Sequence, residues 1–263
     1  VADGARARPP HQPVILGVSL KLYLDVATTV DWARRVATIA RGHSAVRSGD
    51  VRLFVMPSLP AVPAVREAVS GTAVQVGAQN LHWDDRGPYT GEVSGADLRH
   101  IGCTLVEVGH AERRALFGED DDIVRRKLAA AVRNDLTPVL CVGETDEATV
   151  EEAAARCLDE LDSALEGLGA VPAADLIVAY EPVWAIGRPT PAPADHIAAV
   201  AGALRDRLAS DERVAGSSVI YGGSAQRGTL SELGGGIDGL FLGRFAHDTA
   251  SLARIIDEAA ALR

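Results

Sequence analysis

Apolar and polar positions in this chain alternate in blocks. From Val14 onward a short apolar run, a turn and a longer amphipathic or alanine-rich stretch recur. The apolar runs predict strands at Val14–Leu22, Val51–Met56, Ala73–Ala78, Thr104–Val108, Thr137–Val142, Leu176–Tyr180, Ser217–Tyr221 and Gly239–Leu242. Leu176–Tyr180 offers no polar residue to water, which predicts a strand covered on both faces, as in a parallel sheet. The intervening pattern predicts helices over Val26–Gly42, Leu116–Asn134, Thr149–Leu168, Pro193–Ala209 and Thr249–Leu262. In the first of these Trp32, Val36, Ile39 and Ala40 share one face, while Asp31, Arg34 and Arg35 lie elsewhere. Roughly eight strand–helix units in one domain's length match a closed parallel (β/α)8 barrel, which leaves no edge strand. A doubly wound open sheet is the other candidate. It calls for a glycine-rich dinucleotide loop after the first strand, and Ser19-Leu20-Lys21-Leu22-Tyr23 is not one.

Composition adds few constraints. The 263 residues are 47% hydrophobic and 24% charged, as in ordinary soluble globular proteins. No composition break divides them, so one barrel domain is expected over 14–263, after a flexible, polar and proline-rich extension over 1–13 that does not read as a signal peptide. The net charge of -10 argues against nucleic acid or an anionic membrane as partner, and leaves open an anionic substrate at a locally positive site. No apolar run is long enough for a transmembrane helix. Cys103, Cys141 and Cys157 are few and scattered, which suits reduced thiols in a cytoplasm. Neither an HExxH motif nor paired cysteines is present, so no metal and no cofactor is expected.

In such a barrel the chemistry lies at the carboxyl ends of the strands. That rule selects Lys21, Gln79-Asn80, Gly109-His110, Gly143-Glu144, Glu181, Gly222-Gly223-Ser224 and Gly243-Arg244. Glu181 ends an apolar strand, and Pro182 disfavours helical geometry at the residue before it. Taken alone, Glu181 also reads as a solvated strand end, His110 as a helix cap and Lys21 as a lysine snorkelling at a rim. Where His110 begins a helical turn, the free amides penalise imidazolium, which predicts a neutral ring that donates a hydrogen bond.

Several segments together carry a resemblance: Tyr180–Gly187 (YEPVWAIG), Gly109–Arg114 (GHAERR), Cys141–Glu144 (CVGE), Tyr221–Ser224 (YGGS) and Gly77–Asn80 with Gly87–Glu92. In this order they resemble the triosephosphate isomerase family over nearly the whole chain. The resemblance implies a TIM barrel and an aldose–ketose isomerase acting through an enediolate. It implies Glu181 as base, neutral His110 as hydrogen-bond donor and Lys21 as electrostatic stabiliser. An inward Lys21 is expected to pair across the mouth with Glu112. Ser19, Gly187, Ser224, Gly243 and Arg244 are the implied substrate and phosphate contacts, and Cys141 a core residue. A homodimer through the Gly77–Glu92 loop is implied as well. The implied substrate is dihydroxyacetone phosphate, interconverted with glyceraldehyde 3-phosphate in glycolysis and gluconeogenesis.

The chain departs from the family at four places. Ala111 replaces a serine, Ser19 an asparagine and Arg244 a glycine, and Arg188-Pro189-Thr190-Pro191-Ala192-Pro193 replaces the usual lid hinge. These departures keep two alternatives open: a paralogue isomerising a tetrulose phosphate such as L-erythrulose 1-phosphate, and a phospholigand-binding barrel without turnover.

Overall fold

The computed structural model describes residues 12–173, 175–188 and 191–263. Of the extension expected over 1–13, residues 1–11 lie outside the described residues, as do Pro189 and Thr190 of the lid segment.

The strands are β1 (Val14–Ser19), β2 (Val51–Met56), β3 (Gln75–Ala78), β4 (Leu105–Val108), β5 (Thr137–Val142), β6 (Ile177–Tyr180), β7 (Ser218–Tyr221) and β8 (Gly239–Leu242). Each pairs in parallel with the next and β8 returns to β1, closing the barrel. The fold is the expected (β/α)8 TIM barrel. Period-two alternation divides its core in two. Ile15, Phe54, Leu105, Ile177 and Phe241 pack inside the barrel, whereas their neighbours Leu16, Leu53, Val106, Val178 and Leu240 face the helices. The rings of Phe54 and Phe241 lie 5.9 Å apart across the interior. Gly17 makes room for them, since a Cβ there would stand 2.1 Å from the Phe54 ring.

The long helices follow the periodic stretches. They are α1 (Val26–Gly42), α7 (Val150–Glu166), α8 (Ala194–Ala209) and α10 (Thr249–Ala261). Trp32, Val36 and Ala40 of α1 are buried, as their shared face requires, and the Trp32 indole donates to the Ala246 carbonyl at 3.0 Å. Thr149 and Glu152 form a reciprocal cap at the start of α7. The short helices α2 (Ser44–Ser48), α3 (Val62–Ala68), α4 (Gly95–His100) and α9 (Thr229–Leu233) have too few turns to print a periodic stripe.

Two expectations need correction. The helix expected over Leu116–Asn134 is two, α5 (Ala111–Phe117) and α6 (Asp121–Arg133). Gly118 stops the first in a left-handed conformation, φ 68°, and Asp120 caps the second through the Ile123 amide. The strand expected to run to Leu22 stops at Ser19. Lys21 has φ 49°, a left-handed turn that no strand continues through. The strand starts expected at Ala73, Thr104, Leu176 and Ser217 each fall one or two residues early.

Beneath the rim, Lys127 of α6 and Glu119 form an ion pair in which each side chain is 4% exposed. Lys127 also donates to the Asn80 side chain at 2.6 Å, fixing the turn after β3, and Arg113 bonds Glu119 from the other side. Removing the one anion leaves a buried ammonium and a guanidinium without it. Glu119→Gln is therefore expected to lower unfolding stability by about 3 kcal/mol, read as a reduced urea midpoint at constant slope.

Candidate active site

The structure brings the nine residues that the resemblance implies to the wall of one cavity of about 450 Å³, whereas Gln79, Asn80, Gly109, Gly143 and Glu144, which the strand-end rule also selected, do not line it. Glu181 follows β6 and keeps that strand's inward parity with Ile177 and Ala179. Its amide donates to the Val142 carbonyl at 2.8 Å, so β5 holds it in line. The carboxylate is buried, and Oε2 accepts no hydrogen bond. Such an orphaned acceptor is costly in a folded chain unless something else uses it.

His110 is the N-cap of α5, and its Nδ1 accepts the Glu112 amide at 3.1 Å. That bond puts the neutral ring's proton on Nε2. Nε2 faces Oε1 of Glu181 at 3.6 Å and Oε1 of Glu107 at 3.8 Å.

Glu107 was not among the residues expected here. It is a buried acid on the inward face of β4, and its Oε2 accepts from the Ser19 hydroxyl at 3.1 Å. Burial pushes its carboxyl up to about 7. The sequence carried the signal in Leu105-Val106-Glu107-Val108, a lone acid inside an apolar strand with the parity of Leu105.

This carboxylate also corrects the expected electrostatics of His110. Burial works against imidazolium, as the helix end does, yet Glu181 and Glu107 outweigh it and raise the ring's pKa above its ordinary value. Glu107 and His110 titrate as a coupled pair, because a proton on either removes the charge that favours one on the other. The amide bond to Nδ1 favours the arrangement with the proton on Glu107 and a neutral ring.

Lys21 reaches in from the turn after β1, and its ammonium donates to Oε1 of Glu112 at 2.7 Å. Burial opposes its charge, but that bond and the carboxylates of Glu181 and Glu107 hold its pKa above the ordinary value. The left-handed backbone at Lys21 is a locally unfavourable conformation kept where the side chain enters the site.

Glycine turns form another part of the cavity wall. Gly187 is left-handed at φ 73°, and Gly222, Gly223 and Gly243 expose backbone to the same space. The Ser224 hydroxyl donates to the Ala185 carbonyl at 2.9 Å, tying the turn after β7 to the segment after Glu181. That segment is anchored again at Glu144, a buried acid that accepts from the Trp184 indole at 2.7 Å and the Tyr180 hydroxyl at 3.1 Å. The Arg244 guanidinium lies over the Tyr23 ring at 5.5 Å. Among the described residues no carboxylate is within ion-pair distance of it. Cys141 is buried inside the barrel with its thiol pKa raised well above normal by burial, which suits a core residue. The cavity thus joins glycine-rich turns and two cations, which suit a small anion, to a buried carboxylate and an imidazole N–H, which suit proton transfer.

A family model for triosephosphate isomerase matches residues 14–259. The chain is 48% identical to the L-erythrulose-1-phosphate isomerase of Pectobacterium atrosepticum, over 93% of this chain and 95% of that one. It is 41% identical to the protein of the same name from Mesorhizobium japonicum, over 94% and 97% of the two chains. It is also 39% identical to the triosephosphate isomerase of Moorella thermoacetica, over 94% and 98%.

The raised Glu107 pKa has a consequence for stability. A carboxyl whose folded-state pKa lies near 7, against an ordinary 4.5, contributes stability that is fully present below 4.5 and lost as pH rises through about 7. Against a Glu107→Gln variant, the native chain is expected to lose on the order of 1–3 kcal/mol of unfolding stability between pH 5 and pH 8. Urea titrations of both proteins at the two pH values check this, and equal slopes would remove Glu107 as the cause.

Proposed function

We propose that this chain, which belongs to the triosephosphate isomerase family and is an isomerase, moves the carbonyl of a short ketose phosphate by one carbon, with a tetrulose phosphate of the L-erythrulose 1-phosphate type as its substrate. The observation that carries this choice is that Ser19 and Arg244 line the same cavity as Lys21, His110 and Glu181. Two of the chain's departures from the family pattern thus fall on the cavity wall and spare Lys21, His110 and Glu181. The high identity to proteins named for L-erythrulose 1-phosphate supports the same choice. The triose reading, placed first from sequence, stays as the second, supported by the 39% identity to a triosephosphate isomerase and by the full set Lys21, His110, Glu112 and Glu181. A binder without turnover has no use for the unpartnered Oε2 of Glu181.

In L-erythrulose 1-phosphate the carbonyl is at C2, beside the phosphate-bearing carbon, and the mobile proton is on C3. Glu181 takes that proton, and the C–H electrons pass through C2 onto the carbonyl oxygen, giving an enediolate across C2 and C3. Nε2–H of His110 donates to the oxygen on which charge develops, and Lys21 adds a fixed positive charge in a low-dielectric site. Protonated Glu181 returns the proton to C2 while the C3 hydroxyl gives up its own to the C2 oxygen by way of His110. No atom is gained or lost, and the product is a ketose with its carbonyl at C3. Dihydroxyacetone phosphate would follow the same steps and end as an aldehyde, because its reacting carbon is terminal. A positioned base contributes about 10² to 10⁴ in rate and one oxyanion donor about 10² to 10³.

The phosphate sits best against the glycine turns at Gly187, Gly222–Ser224 and Gly243, with Arg244 as its side-chain cation. A homodimer through the Gly77–Glu92 loop belongs to the same reading. It is supported by that loop's exposed tip, which is braced internally by the Tyr89 hydroxyl on Asp84 at 2.6 Å. The three buried, unpaired cysteines favour a reducing compartment such as the cytoplasm.

Steady-state kinetics on both substrates test the proposal. The kcat/KM for L-erythrulose 1-phosphate is expected to exceed that for dihydroxyacetone phosphate by at least about tenfold, the scale on which one carbon is discriminated. The reverse ratio would establish the triose reading. Glu181→Gln is expected to lower kcat at least about a hundredfold while inorganic phosphate still binds, and unchanged turnover would remove Glu181 as the base.

A further inference from the structure

We infer that Ser19 and Glu107 form a subsite for the terminal hydroxymethyl group of a four-carbon ketose phosphate, at the end of the ligand away from the phosphate. The inference rests on the tetrulose reading and adds which residues read the extra carbon.

The cavity that holds Glu181 and the glycine turns adjoins a second hollow of about 580 Å³. Ser19, Lys21 and His110 line both and so form their common wall. The phosphate turns belong to the first space alone, and Glu107 with Asn80 to the second alone. A ligand anchored by its phosphate at the glycine turns, with its reacting carbons between Glu181 and His110, therefore points its remaining end at Ser19 and Glu107. A triose ends at the reacting carbon. A tetrulose continues by one CH2OH group, which needs both space and polar partners.

Ser19 provides the space because its side chain has two fewer heavy atoms than asparagine, and it is buried, 4% exposed. A hydroxyl both donates and accepts, so the Ser19 bond to Glu107 Oε2 at 3.1 Å leaves it able to bond the ligand's hydroxyl as well. Oε1 of Glu107 points the other way, to Nε2 of His110 at 3.8 Å. The same pair of side chains thus touches the reacting histidine on one side and the ligand's tail on the other.

The test compares kcat/KM for L-erythrulose 1-phosphate and dihydroxyacetone phosphate in the native chain, Ser19→Asn and Ser19→Ala, with the inhibition constant of inorganic phosphate as a check on the phosphate end. Ser19→Asn refills the space and is expected to lower the tetrulose-to-triose ratio at least about tenfold. Ser19→Ala removes the acceptor and keeps the space, so its ratio is expected to fall by less. Phosphate inhibition should move by less than about twofold in both. An unchanged ratio in Ser19→Asn, in a protein that turns the tetrulose over and still binds phosphate, overturns the subsite and leaves the proposed reaction standing. If Ser19→Asn does not fold, Ser19→Thr decides in its place, again by a fall in the ratio or its absence. A native chain with no tetrulose turnover overturns the substrate reading and the subsite with it.

Discussion

Glu181, the proposed base, is held by an absence of side chains on either side of it. A Cβ on Gly143 would stand 1.8 Å from the Glu181 carbonyl oxygen, and one on Gly222 would stand 2.7 Å from its Cγ. The ends of β5 and β7 therefore close on Glu181 as nearly as backbone can, and the Glu181 amide is bonded to Val142 on the same side. A carboxylate fixed in this way belongs to the sheet. Its reach is set by eight mutually bonded strands, and the rest of the site is arranged around a position that does not adjust.

That rigidity makes the electrostatics demanding. Glu107, Glu181 and Glu112 surround His110 and Lys21, and the first two carboxylates are almost wholly buried. A phosphorylated ligand adds negative charge to a space that already has a surplus of it. Two features relieve the excess. Glu107, with its pKa near 7, takes up a proton at little cost, and Lys21 and Arg244 supply positive charge on the cavity wall. Because Lys21 is bound by Glu112 and turned in by its own backbone, its charge is in place before the ligand arrives. In a site of low dielectric such prior placement is the main source of transition-state stabilisation.

Much of this was legible in the chain. The block alternation gave the barrel, the strand-end rule gave Lys21, His110, Glu181, the Gly222–Ser224 turn and Gly243-Arg244, and the resemblance added Ser19, Glu112 and Gly187. What it did not give has local physical causes. β1 stops short of Lys21 because a left-handed residue intervenes, and no hydropathy pattern encodes a single φ. The break between α5 and α6 rests on Gly118, one residue inside an otherwise continuous amphipathic stretch. Glu107 was passed over because it sits within a strand, where the rule looks only past the end, and its inward parity was the available clue. The expected direction of the His110 shift was also reversed, since a helix end was weighed without the carboxylates of Glu181 and Glu107, 3.6 Å and 3.8 Å away. Arg244 against Tyr23 joins two turns more than two hundred residues apart, a pairing that only the closed ring of strands brings about.

The architecture also separates what reacts from what is recognised. Glu181 and His110 are fixed by backbone, through Val142, Gly143 and Gly222 in one case and the first turn of α5 in the other. Ser19 and Arg244 are fixed by neither of these. Ser19 reaches its partner by side chain alone, and Arg244 sits on a turn anchored elsewhere, through the Trp32 bond to Ala246. Either residue can therefore change in length or charge without displacing the base or the imidazole. On the proposed reading, a barrel of this kind lengthens its substrate by a carbon at one end and alters its grip on the phosphate at the other, while the position of Glu181 relative to the reacting carbons is kept.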